Sequence, residues 1–287
     1  MKIVAVSLAA VAIFTCSFAG DSRAADTSEP AQRSNATIAV PKGVLLEKLT
    51  WIEAEKVLTA DTVVAIALGA QSKEHGPHLR LSNDWIMAEY LKNRVLQAAD
   101  VVIAPTINYH FYPAFVEYPG STTMRLETAR DMTVDIVKSL AAHGPRRFYI
   151  INTGISTLRA LKPAAELLAR EGILLRYTDL IALTGDVEKK IAQQEGGTHA
   201  DEIETSMMLY LAPETVDMSK AVKDFNARSS EGGLTRKPKG PGVYSPTGSW
   251  GDPTLATREK GRIVTEALVD GILRDIATLR ASALPVK

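Results

Sequence analysis

Four short apolar runs, at 62–68, 101–104, 147–151 and 173–177, are separated by stretches with helical spacing, and this alternation restricts the fold more than any other feature. Thr62-Val63-Val64-Ala65-Ile66-Ala67-Leu68 carries no polar alternation, so it reads as a strand buried on both faces. Val101-Val102-Ile103-Ala104, Arg147-Phe148-Tyr149-Ile150-Ile151 and Ile173-Leu174-Leu175-Arg176-Tyr177 read the same way. Helices are expected over about 85–98, 126–142, 157–170, 202–211 and 256–280. Strand and helix in alternation favour a parallel sheet with right-handed crossovers, an α/β/α sandwich in a single domain. Residues 227–254 hold ten Gly or Pro among 28 positions and are expected as a long irregular loop, either a lid or subunit contact or a plain excursion.

The chain ends narrow the chemistry. Residues 1–24 carry Lys2, the apolar run Ile3 to Phe14 and small residues up to Ala24, the layout of a secretory signal peptide. The apolar run is too short for the roughly 20 residues that span a bilayer. A periplasmic or secreted location is therefore expected, with no membrane attachment after cleavage, a flexible lead-in over 25–37 and a domain over 38–287. The single cysteine, Cys16, leaves with the leader, so the mature chain has no thiol nucleophile and no sulfur ligand for a metal. Lys and Arg total 33 against 33 Asp and Glu and are scattered singly, which gives no basic face for nucleic acid. A small-molecule substrate or a second copy of the chain is the expected partner.

In open α/β sheets the ligand site lies where loops leave the carboxyl ends of the strands. The first strand runs into Lys73-Glu74-His75-Gly76-Pro77-His78-Leu79-Arg80-Leu81-Ser82-Asn83-Asp84, which packs two His, two acids and a Lys into twelve residues. Gly76-Pro77 forces a turn between the imidazoles. Asp84 is placed either to cap the following helix or to turn its carboxylate into the same pocket. Imidazole and carboxylate without thiolate suit Zn, Mn or Fe. A second cluster, His199-Ala200-Asp201-Glu202-Ile203-Glu204-Thr205-Ser206, opens a helix. Three other groups carry less. His110, among Tyr109, Phe111 and Tyr112, reads as a site wall or a satisfied buried His, and His143 ends a helix, where the dipole favours a cation. Ser156 lacks the Gly-x-Ser-x-Gly elbow of a serine hydrolase.

The segments Glu74-His75-Gly76-Pro77-His78-Leu79 with Asp84, Tyr118-Pro119-Gly120-Ser121, His199 to Ser206, and Gly251-Asp252-Pro253-Thr254 with Glu259-Lys260-Gly261 resemble the creatininase family of metal-dependent amidohydrolases. The likeness follows family order over nearly the whole mature chain. It implies an α/β protein, often a homo-oligomer, that opens a cyclic amide or cleaves a related C–N bond with metal-activated water. It also implies a two-metal centre held by a Glu, the first His and a bridging Asp of the first motif. Anchored on His-Gly-Pro-His-Leu, that Glu falls on Lys73, the His on His75 and the Asp on Asp84. A register shifted by one residue, with Glu74 in the Glu position, is the alternative. The metal-binding His of the third motif falls on Gly154, and the family's Glu-His pair before Pro-Gly is replaced by Ala114-Phe115.

One metal position thus loses its ligands, while the other, on His75, Asp84 and an acid such as Glu202, remains. We expect one divalent metal per chain, Zn or Mn with Fe as a further choice. The Lys73 ammonium is expected to stand in the charge position of the second metal and to pair with Asp84. Glu74, Glu202 and His199 are the candidate proton shuttles, His199 first because imidazole titrates near neutrality. The catalytic set is therefore His199, Glu74 and Lys73, and the metal set His75, Asp84 and Glu202. Creatinine itself is not the expected substrate, because 178–198, which supplies tryptophans in creatininases, contains none. The alternative function is a catalytically silent relative that binds a small ligand or serves as an assembly unit.

Overall fold

The computed structural model describes residues 40–226 and 233–286. The leader over 1–24 and the lead-in over 25–37 lie outside the described residues, as does the first part of the Gly/Pro-rich stretch. The five apolar segments β1 (Val44–Leu45), β2 (Val63–Leu68), β3 (Val102–Ile107), β4 (Arg147–Asn152) and β5 (Leu174–Tyr177) form one sheet in the order β1-β3-β2-β4-β5. Every neighbouring pair is parallel. Each residue of β2 is fully buried, as its unbroken apolar run requires.

Burial on both faces needs helices on both faces. Val63, Ala65 and Ala67 pack with Met87, Val95, Met207 and Leu268 from α2 (Asn83–Ala98), α6 (Glu202–Leu211) and α7 (Arg258–Ala281). The alternate residues Val64, Ile66 and Leu68 pack with Val137 and Leu161 from α3 (Leu126–Ala141) and α4 (Leu158–Ala169). The single α/β/α domain expected from the alternation is what the structure shows, with helix and strand ends within a few residues of the expected ones.

Two helices escaped the sequence reading. Helix α1 (Trp51–Val57) is short, but its Thr50/Glu53 pair is a capping box that could have marked it. Helix α5 (Leu180–Ile191) carries Leu180, Leu183, Val187 and Ile191 at helical spacing against the core, and Asp179 caps it by accepting from the Ala182 N–H at 3.2 Å. Gly185 inside it and the polar positions around it mask the pattern. Part of the expected loop also takes structure. Its β6 (Leu234–Thr235) and β7 (Val243–Tyr244) pair in parallel, and Leu234 and Val243 pack against Tyr112, Phe115 and Tyr118.

The chain leaves β2 towards β3 on one side and later places β4 on the other, so the strand order reverses at β2. The carboxyl ends of β2 and β4 therefore flank the crevice where such folds bind ligands.

His110 shows how a polar residue is stored beside this core. It is fully buried, and its Nε2 lies 3.1 Å from Thr133 Oγ1, which itself donates to the Ala129 carbonyl at 2.9 Å. The His110 Nε2–H therefore donates to Thr133, and Nδ1 has no partner among the described residues. It serves neither as a site wall nor as a ligand. Burial lowers its pKa from 6.5 to about 4. The unfolded chain takes up a proton as pH falls through 6.5, whereas the folded chain does so only near pH 4. The stabilisation is therefore complete above pH 6.5 and is lost on acidification towards pH 4, up to about 3 kcal/mol. His110→Gln should show a shallower loss of melting temperature over that window than the parent. Parallel declines would remove His110 as a cause.

Candidate metal centre

The loop after β2 begins with a close approach. A Cβ on Gly69 would lie 2.7 Å from Ala88 Cβ and would also meet the Asp84 backbone, so glycine lets the first turn of α2 press against the strand end. Trp85 N–H donates to the Ala70 carbonyl at 3.1 Å, and Thr153 Oγ1 bridges the carbonyls of Leu68 and Asp84 at 3.1 Å each. These contacts deliver Asp84 to the carboxyl end of the sheet. Asp84 does not cap α2, whose N-cap is Ser82 without a side-chain bond. Its carboxylate turns inward instead.

There Lys73 Nζ lies 2.7 Å from Asp84 Oδ2, and His75 Nε2 lies 2.8 Å from Oδ1. All three side chains are buried. Burial pushes the Asp84 pKa upward, but the Lys73 ammonium and the His75 ring outweigh it and hold the carboxyl far below its ordinary range. Lys73 Nζ also stands 4.7 Å from the Phe115 ring centre and 5.8 Å from that of Tyr112, so aromatic faces complete its surroundings. The ion pair expected from the sequence is present.

Helix α6 supplies the rest. Ala200 has φ +46°, a left-handed conformation uncommon for a residue with a Cβ. That turn carries His199 over the first turn of α6, where Asp201 caps by accepting from Glu204 N–H at 2.9 Å. Antiparallel bonds between His199 and Trp250 pin the turn to the late loop. Glu204 reaches His75 Nε2 at 3.4 Å and His199 Nδ1 at 3.8 Å, and it accepts from Asn83 Nδ2 at 2.9 Å and Ala200 N–H at 2.7 Å. Burial raises its pKa, yet His75, His199 and Lys73 together lower it below the ordinary glutamate value.

Donor atoms of His75, His199 and Glu204 lie within 4.8 Å of one another. The geometry fits a cation. His75 Nδ1 faces the Lys73 carbonyl at 2.9 Å while Nε2 faces two carboxylates, so oxygens flank both ring nitrogens. A second proton or a metal ion must sit on one of them. His199 repeats the arrangement, with Nε2 3.1 Å from Glu74 Oε2 and Nδ1 towards Glu204. Beside this cluster Lys73 holds the other Asp84 oxygen, Gly154 has no side chain, and Ser156 Oγ donates to the Phe111 carbonyl at 3.1 Å.

Of the residues singled out from the sequence, Lys73, Glu74, His75, Asp84 and His199 come together, and Glu202 does not. Glu202 is fully buried on the other side of α6, where it accepts from Gln193 N–H at 2.8 Å and Gln194 N–H at 2.6 Å and pairs with Lys260. Successive helical residues turn by about 100°, so positions 202 and 204 point roughly opposite ways. Glu204 thus takes the place expected for Glu202. Glu74 is turned to His199 and to the Gly76 N–H. His78 stays outside the cluster, with Nε2 2.8 Å from Thr205 Oγ1, and burial lowers its pKa to about 4. The exposed His143 lies just beyond α3. Phe115, which stacks on His199 at 4.2 Å between ring centres, is the aromatic that the sequence reading left unassigned.

Lys73, Phe115, His199 and Glu204 line a cavity of about 660 Å³. The model of the creatininase family, described as creatinine amidohydrolase, matches residues 47–276. Creatinine amidohydrolase of Pseudomonas putida is 26% identical over 250 residues, spanning 80% of this chain and 95% of its own. A mycofactocin precursor peptide peptidase of Mycobacterium tuberculosis is 29% identical over 224 residues, spanning 75% and 84%. A crystal structure of creatininase superposes with TM-score 0.69 at 25% identity over 82% of this chain and 97% of its own, and one titled as a manganese form with TM-score 0.67 at 25% identity over 82% and 98%. A family match over residues 47–276, most of the chain, makes this protein a member of the creatininase family.

Proposed function

We propose that this chain is an exported hydrolase that cleaves a cyclic amide or related C–N bond with one divalent cation, zinc or manganese before iron. The observation that carries the reading is the convergence of His75, His199 and Glu204 beside the Lys73–Asp84 pair, with Lys73, His199 and Glu204 lining a cavity. The hydrolytic names of the relatives, for creatinine and for a precursor peptide, support the bond class without setting the substrate. A bound divalent cation would polarise a carbonyl and bring the pKa of water towards 7.

His75 and His199 would hold that cation with nitrogens oriented from behind, His75 by the Lys73 carbonyl and His199 by Glu74. The proton on His199 Nε2 is then committed to Glu74, which makes Glu74 a positioning residue and takes His199 out of the free proton-shuttle role. Lys73 lines the cavity, where its fixed positive charge faces an amide oxygen that becomes negative during attack. A second reading, a silent relative that binds a small ligand, draws on the same pair, because Lys73 already balances Asp84.

Metal analysis separates these readings. The mature chain should bind one zinc or manganese per chain, and two would overturn the single-ion assignment. His75→Ala and Glu204→Gln should fall below about a tenth of an equivalent. Glu202→Gln should keep its metal while losing about 1–3 kcal/mol of stability, because the buried carboxylate that pairs with the partly buried Lys260 is lost.

Hydrolysis of lactams, hydantoins, formamides and short peptides by the metal-loaded chain should reveal at least one substrate. Lys73→Met, which leaves Asp84 without its cation, should lower melting temperature and cut kcat per folded chain about 100-fold, with partial recovery of both in Lys73→Arg. Metal binding without turnover of any of these would favour the silent reading. Cell fractionation should find the mature chain beyond the inner membrane, and sedimentation should find a homo-oligomer.

A further inference from the structure

The cavity does not end at the metal cluster. From His199 and Glu204 it continues between α5 and the α6–α7 pair, where its walls are aliphatic: Ile155, Ile181, Met207, Val264 and Leu268. Val264 and Leu268, packed in the core, back this wall, and the aliphatic surface open to a ligand is chiefly that of Ile155 and Ile181, with 43% and 58% exposure. Two charged residues, Glu188 and Lys189, also line this part. Glu188 accepts from Thr184 Oγ1 at 2.5 Å, and the Lys189 side chain is 80% exposed.

Gly185 marks the middle of this wall. It lies inside α5, where glycine costs about 1 kcal/mol against alanine. A Cβ placed there would meet a single neighbouring atom within 4 Å, Ile181 Cγ2 at 3.7 Å, so packing does not demand glycine at this position. Gly185 lines the cavity between Ile181 and Glu188, so a larger side chain there has room to project over the crevice.

We infer that this crevice is a substrate subsite that receives an aliphatic substituent of the amide, and that Gly185 keeps it open. The inference rests on the hydrolase reading for the amide end and deepens it: the preferred substrate is an aliphatic amide rather than a compact polar ring. Apolar walls continuous with the cluster provide the binding energy, at about fourfold in affinity, or 0.8 kcal/mol, for each methylene buried.

The test is calorimetric titration of the mature chain, zinc-loaded and zinc-free, with acetamide, butanamide, hexanamide and octanamide. Affinity should rise about fourfold per methylene until the crevice is filled. Gly185→Leu, which fills the crevice, and Ile181→Asp, which alters only its rim, should each flatten that rise to under about twofold overall at a parent-like melting temperature. A flat series in the parent, or an undiminished rise in both variants, would overturn the subsite. A rise with chain length that zinc does not affect would keep the subsite and count against the hydrolase reading. Turnover of small lactams with a flat series would do the reverse.

Discussion

The carboxylate of Asp84 is the charge on which the site depends. It enters a nearly water-free volume at the end of β2, where an unpaired ion would be intolerable. Lys73 takes one oxygen and His75 the other, and aromatic faces of Phe115 and Tyr112 close around the ammonium. Around this node the remaining acids outnumber the fixed cations. Glu74 and Glu204 face the two imidazoles, so the arrangement is neutral only with extra protons or with a metal ion. Electrostatics thus connects the fold of the loop after β2 to the cofactor the site would take.

Departures from the family pattern occur together and compensate one another in space. Lys73 brings a positive charge, Phe115 an apolar face against it and against His199, and Gly154 a gap. A lysine alone in a two-metal site would repel the neighbouring ion. On the single-ion reading proposed above, Lys73 would act as an internal counter-ion to Asp84, from which it lies 2.7 Å.

The walls come from segments with little sequence signature. The Gly/Pro-rich stretch supplies Leu234 and Val243 against Tyr112 and Phe115, and Trp250 bonds back to His199. Helix α5 contributes the far side of the cavity. Its apolar stripe is ordinary, but the cavity-facing side is interrupted by Thr184, Gly185 and Glu188, as expected of a helix that must seal a core along one edge and leave room along another. The interruptions that hid α5 in the sequence are the positions that shape the cavity.

The unbroken apolar runs determined the parallel sheet, because a strand such as β2 has no polar face to give to water. The density of His, Glu, Lys and Asp between positions 73 and 84 located the site, because packing alone does not require it. What the chain's linear order could not decide was rotation. Glu202 and Glu204 stand in one motif with the same chemistry, and either could have met His75. Their helix turns them to opposite sides, and the docking of α6 against Gln193, Gln194 and Lys260 sends Glu202 to a structural anchor and Glu204 to the histidines. Helical phase relative to the sheet is set by packing over the whole domain, so only the tertiary structure could choose between them.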